Sequence, residues 1–350
     1  MLRGMIRYPA PLRAGARVAV TAPSSGVGAD CHPRLDLALA WLRQQGLTPL
    51  EGHCLRTQHK QASAPAAQRA AELMHCLLDP AIAAVMPPWG GELAIEVLPR
   101  LDWQATEQLT PTWLLGYSDT STLLMALTLR LRWATAHGPC LMDLVPGQTD
   151  PLITGLLPAL GSAPGGAFTQ RSSAAWQADW GDYTIHPERV FAPQIPTRLA
   201  LLDVNPGRAV QFSGRLIGGC LDTVRNLAGS PCGDVPRFVR EAGDAGAILY
   251  FENCNLRPSE FLCVLQGLKL AGWFEGLAGV LVGRSSAGDV RTPEWLNQRE
   301  ALVSGLADLP CPVLLGCDIG HMPPQWLLIN GALAEVRYAD GAAQIEQRLV

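Results

Sequence analysis

From residue 17 to residue 140 the chain alternates short apolar runs with segments of helical spacing, and the changes are punctuated by glycine or proline. The apolar runs lie at 17–22 (RVAVTA), 47–50, 81–86 and 113–115; helical spacing appears at 34–45, 66–78, 93–98 and after Ser118. Strand and helix in turn predict a parallel, doubly wound sheet. Ligands of such sheets bind outside the carboxyl ends of the strands. Three loops leave those ends: Pro23-Ser24-Ser25-Gly26, the loop 87–92 (PPWGGE), and the turn 116–120 (GYSDT). They are expected to converge.

The turn 116–120 makes the strongest chemical suggestion. Gly116 permits a sharp backbone turn beside Ser118. A helix opening near Asp119, with Leu123, Leu124, Leu127 and Leu131 at helical spacing, would aim unpaired N–H groups at whatever the serine touches. A serine so placed is similar to the nucleophile elbow of serine hydrolases, although the spelling is not G-x-S-x-G. On this turn alone, an ordinary helix cap by Ser118 or Asp119 is an equal reading. Gly90-Gly91 would let a backbone amide approach a ligand closely, as an oxyanion hole needs, and simple turn chemistry would produce the same pair.

A chain of 350 residues with 48% hydrophobic and 17% charged residues has material for two packed domains. The reading divides it into an N-terminal α/β domain at 1–160, a linker or lid at 161–207, and a C-terminal mixed β/α domain at 208–350. Trp176 and Trp180 stand in the polar stretch SSAAWQADWGDYT of the linker. Large aromatics prefer burial, so these pack on the domain interface or wall the site. In the last third, 247–251 (AILYF) reads as a buried strand ending at Glu252, and 313–315 as a strand running into GCDIGHMPP. Asn330-Gly331, between two apolar runs, predicts a hairpin.

A net charge of −4 gives no reason to expect a nucleic acid polymer as partner. The ten cysteines lack C-x-x-C or zinc spacing and read as reduced thiols, which points to the cytoplasm. No signal peptide or membrane span is expected. Neither a metal nor a cofactor is expected.

Glu252 at one strand end and His321 in one turn-rich loop would complete Ser118…Glu252…His321 in chain order. His321 would take the Ser118 proton, and Glu252 would orient the ring and stabilise its charged form. Asp318 and Glu260 compete for the acidic role. A cysteine nucleophile, Cys140 with His137, is disfavoured because the two would point to opposite faces of one extended segment.

The segments LLGYSDTSTLL, GRLIGGCLDTVRNLAGSP, ILYFENCNLRPSEF and LLGCDIGHMPP resemble, in order, the motifs of the LD-carboxypeptidase family of serine peptidases. Within it the chain most resembles the branch related to the microcin C immunity protein. The resemblance implies a flavodoxin-like N-terminal domain, a C-terminal mixed β/α domain of swivelling type, and a homodimer. It implies Ser118 as nucleophile, Glu252 and His321 as its partners, and the amides of Gly91 and Asp119 as oxyanion hole; Gly90, Trp180 and Cys220 are the candidate substrate contacts. The immunity-like branch cleaves the bond between a peptide carboxyl and an aminoacyl-nucleotide; the murein branch removes a terminal D-alanine from muropeptide tetrapeptides. Trp180 looks like the tryptophan that stacks on the nucleobase, with Trp176 the alternative. Cys220 stands where the family commonly has Asn, which puts substrate contacts there in doubt.

Overall fold

The computed structural model describes residues 5–202, 208–290 and 292–350; the last residues expected in the linker, 203–207, lie outside the described residues. Along the chain come β1 (Arg17–Val20), β2 (Thr48–Glu51), β3 (Ile82–Val85), β4 (Trp113–Gly116) and β5 (Thr135–His137). The segment 161–207 contributes β6 (Ala167–Arg171), the small pair β7 (Ala175–Trp176) and β8 (Ile195–Pro196), and β9 (Ala200–Leu201). There follow β10 (Val210–Cys220), β11 (Ala247–Glu252), β12 (Gly279–Gly283), β13 (Val313–Cys317), β14 (Leu328–Asn330), β15 (Leu333–Ala339) and β16 (Ala342–Arg348).

Two mixed sheets organise these strands. In the first, β1 to β5 are parallel in the order 2-1-3-4-5, with β14 added antiparallel beside β5. This is the flavodoxin-like order, with its switch point between β1 and β3. In the second, β10 to β13 form a parallel centre, flanked by β15, β16 and β6 on one side and β9 on the other. The segment 161–207 is thus more than a connection, because β6 and β9 hydrogen-bond into both edges of the second sheet.

The helix Thr120–Leu131 sits where the two units meet. Every residue in it except Arg130 is buried, and it packs on β4, β5 and β10. A helix buried on every side is held by enclosure and not by one apolar face. Its position places the carboxyl ends of both parallel sheets around one point.

Three sequence expectations need correction. The run 93–98 is not a helix but two 3-10 turns, Ala94–Glu96 and Leu98–Arg100, because Pro99 removes the amide a longer helix would use. Residues 293–306 read from sequence as one helix, but the helix begins only at Gln298, where Asn297 and Glu300 cap it reciprocally. Asn330-Gly331 makes no hairpin. Its flanking strands enter different sheets, β14 against β5 and β15 against β10 and β16. The buried Asn330 side chain is occupied instead by Tyr250 and Thr135. The hairpin joins β15 to β16 through Asp340-Gly341, whose φ values of 50° and 81° suit the left-handed turn that strand twist favours.

Candidate active site

Ser118 follows β4 and adopts φ +57°, a left-handed conformation uncommon for a residue with a side chain. The turn is held there by its neighbours. Ser121 N donates to Ser118 O at 2.9 Å, and a Cβ on Gly116 would strike the Thr120 side chain. The strained turn lifts the hydroxyl out of the sheet, as a nucleophile elbow does.

The three loops converge as expected. Ser25 N donates to Gly90 O at 3.1 Å, and the Trp89 indole donates to Gly26 O at 3.1 Å. The buried Asp119 carboxylate ties them to the serine turn, accepting from Ser24 Oγ at 2.5 Å and Ala94 N at 2.7 Å. Burial raises the Asp119 pKa, and these hydrogen bonds oppose the rise. Gly90 lies against Ser118, where an added Cβ would come within 2.8 Å of its Oγ. Gly91 has φ +141° and faces Ser24 and Ser25. Among the described residues, the amides of Gly91 and Asp119 meet no protein acceptor, so both remain available to a developing oxyanion.

The second sheet brings the other two groups. Glu252 ends β11 and is fully buried. His321 lies in the loop after β13, and Gly320, at φ +90°, lets that loop pass so close to Glu252 that no Cβ fits between them. His321 Nδ1 is 3.1 Å from Glu252 Oε1, and Nε2 is 3.1 Å from Ser118 Oγ. Burial by itself would lower the His321 pKa. The Glu252 carboxylate and the nearby Cys254 outweigh it and hold the ring well above the ordinary histidine value.

The rival acids are engaged elsewhere. Asp318 is paired with Arg284 at 2.8 Å and accepts from Ser173, and Arg284 also donates to Met322 O and Pro324 O beyond His321. That cluster anchors the histidine loop. Glu260 is a surface cap bonded to Arg257. Cys140 is buried, with its thiol pKa pushed up by burial and Asp143, and His137 is buried and held neutral, its pKa lowered by burial to about 3. Neither suits nucleophilic work.

Of the two linker tryptophans, Trp180 reaches the site. Its ring stacks on Tyr117 at 16° and 6.4 Å, and its N–H donates to His321 O at 2.7 Å. Trp176 pairs with Ile195 and lies beneath the Arg284 guanidinium. Arg34, buried on the helix His32–Gln44, fastens this segment by donating to Pro187 O and Arg189 O and by packing against the Tyr183 ring.

Cys220 ends β10, and its amide donates to Ser121 Oγ at 3.0 Å, joining the second sheet to the serine helix. With Ser118, Asp222 and Cys254 it lines a cavity of about 170 Å³. A second cavity of about 380 Å³ opens from Ser118 and His321 toward Ser25, Gln58 and Trp89. Sequence reasoning missed Tyr117, Asp222, Cys254 and Arg284. Cys254 alone left a usable signal, standing two residues beyond Glu252 at the same strand end.

The two-domain fold matches what comparison with known proteins finds. Residues 18–138 match the LD-carboxypeptidase N-terminal domain and residues 213–336 the LD-carboxypeptidase C-terminal domain, together well over half of the chain. The protein is an enzyme of the serine-type carboxypeptidase class. It belongs to the LD-carboxypeptidase family. It is 26% identical to the Probable murein peptide carboxypeptidase of Bacillus subtilis, over 97% of this chain and 94% of that one. It is 24% identical to the Microcin C7 self-immunity protein MccF of Escherichia coli, over 92% of this chain and 90% of that one. The solved structure of MccF with aspartyl sulfamoyl adenosine superposes with a TM-score of 0.81 at 22% identity, covering 99% of each chain. No helix among the described residues is long and apolar enough to cross a membrane.

Proposed function

We propose that Ser118, His321 and Glu252 form a catalytic triad that hydrolyses an amide bond beside the terminal group of a peptide or peptide-nucleotide conjugate. The observation that carries this is the line from Ser118 Oγ through the His321 ring to Glu252 Oε1, with a contact of 3.1 Å at each ring nitrogen. His321 removes the hydroxyl proton as Ser118 attacks the carbonyl carbon. The amides of Gly91 and Asp119 receive the negative charge on the carbonyl oxygen, and His321 returns its proton to the leaving nitrogen. Water then repeats the sequence on the acyl-serine. Glu252 holds the ring so that Nε2 faces Ser118 and stabilises the imidazolium.

For the substrate we take the immunity-like reading. MccF is solved with aminoacyl sulfamoyl nucleosides and shares this fold over the whole chain. Removal of terminal D-alanine from a muropeptide tetrapeptide is the alternative, favoured by the murein peptide carboxypeptidase named among the relatives. We further propose a homodimer in the cytoplasm, with 161–207 acting as the lid between domains 1–160 and 208–350. Side-by-side hydrolysis of an aspartyl sulfamoyl adenosine-type substrate and a D-alanine-terminated tetrapeptide tests the substrate. Cleavage of the nucleoside conjugate alone supports the immunity-like reading. Cleavage of the tetrapeptide alone replaces it with murein recycling.

A further inference from the structure

A thiol stands at this triad. Cys220 Sγ, a Glu252 carboxylate oxygen and an His321 ring nitrogen all lie within 4.8 Å of one another. Thiolate, carboxylate and imidazole are the donor types that hold zinc. The second carboxylate oxygen of Glu252, Oε2, is buried and has no hydrogen-bond partner. A buried, unpartnered carboxylate oxygen is costly, and a cation relieves it. Cys220 lines one cavity beside Ser118 and His321 lines the neighbouring one, so solvent reaches two of the three groups from either side of the serine.

We propose that Cys220, Glu252 and His321 form an inhibitory binding site for a thiophilic divalent cation of the Zn²⁺ type. The ring edge nearest Glu252 is Nδ1, so an ion bridging the two takes that nitrogen. Binding releases the Cys220 thiol proton to solvent; the ion displaces the ring proton from Nδ1, and the neutral ring then carries its single proton at Nε2. Nε2 then faces Ser118 as a donor and no longer accepts the serine proton. Three protein ligands leave a fourth tetrahedral position for water. The inhibitory consequence rests on the triad reading; the binding does not.

The test uses the full-length Ser118→Ala protein, so that no turnover is needed. Zn²⁺ alone is titrated against a chromophoric chelator, and Cd²⁺ is added to detect the sulfur-to-metal charge-transfer band in the ultraviolet. The expected result is one tight site with a thiolate band. Cys220→Ser should weaken it by about 100-fold or more, and Cys254→Ser should leave it in place. If Cys220→Ser folds poorly, Cys220→Asn replaces it. Binding that survives loss of Cys220, or that instead follows His53, His59 and His75 around a separate surface cavity, overturns the proposal, as does absence of a thiolate band. In the active protein, Zn²⁺ should suppress hydrolysis reversibly with chelator, and Cys220 variants should resist it. Binding without inhibition would count against the triad reading and leave the site standing.

Discussion

Ser118 Oγ and His321 Nε2 stand 3.1 Å apart across 203 residues of chain, one leaving the first sheet and the other the second. No local pattern brings them together. Their contact exists because the helix Thr120–Leu131 is enclosed between the two units and because Gly320 lets the histidine loop lie on Glu252. The contact therefore depends on how the two sheets pack together.

The left-handed backbone at Ser118 costs roughly 1 kcal/mol for a residue with a side chain. Ser118→Gly relieves that cost while deleting the hydroxyl. It should be inactive and unfold at or above the wild-type temperature, as thermal denaturation followed by circular dichroism will show. A clearly lower transition would mean that the serine side chain stabilises the turn.

His321 must be neutral to accept the serine proton, and its pKa is held above the ordinary value, chiefly by Glu252 acting against burial. Activity should therefore rise with pH through a limb above about 6.5. Because the folded pKa is raised, the protonated ring adds stability that is fully present below about 6.5 and is lost as pH rises through the folded pKa. Glu252→Gln removes the main raising influence. It should move the limb of kcat/KM to lower pH and reduce kcat by about 10⁴-fold. A limb that stays in place in the variant would reassign the effect to Cys254.

Gly90 has no room for a side chain beside Ser118. Gly90→Ala should cut kcat by about 100-fold or more by displacing Ser118 Oγ or the Asp119 amide. The overpacking should also cost about 1–3 kcal/mol of stability. Urea denaturation and steady-state kinetics measure the two separately. Unchanged kinetics would show that the 87–92 loop moves aside.

Trp180 donates to the carbonyl of His321, and this bears on the base-stacking role expected of it from the resemblance. Trp180→Phe keeps an aromatic face and loses the N–H donor. A hydrogen bond of this kind is worth about 1 kcal/mol, so kcat should fall by about five- to tenfold on nucleotide-bearing and plain peptides alike. Loss confined to nucleotide-bearing substrates would instead make nucleobase stacking the ring's main task.

Much of this was legible in the sequence. The parallel sheet followed from the strand-helix alternation, and the convergence of 23–26, 87–92 and 116–120 followed from their places at carboxyl ends. Ser118, Glu252 and His321 were each visible as polar residues at such ends, but the choice of Glu252 over Asp318 was not. It depends on Arg284, which claims Asp318 from 34 residues away in sequence and has no local signature. The Asn330-Gly331 turn misled for a related reason. Hairpin chemistry is local, whereas the two flanking strands are recruited by different sheets. The Asp340-Gly341 hairpin carried an equally good signal. The proximity of Cys220 to Glu252 and His321 could not be read at all, because adjacency of β10 and β11 is a tertiary fact.

The most direct test of the central claim is the residual amide hydrolysis of Ser118→Ala, measured with purified protein on both substrate classes beside the wild type. The triad account predicts that kcat falls by about 10⁴-fold or more on whichever substrate the wild type cleaves, with the thermal transition retained. Wild-type turnover by Ser118→Ala would contradict it and place the nucleophile elsewhere.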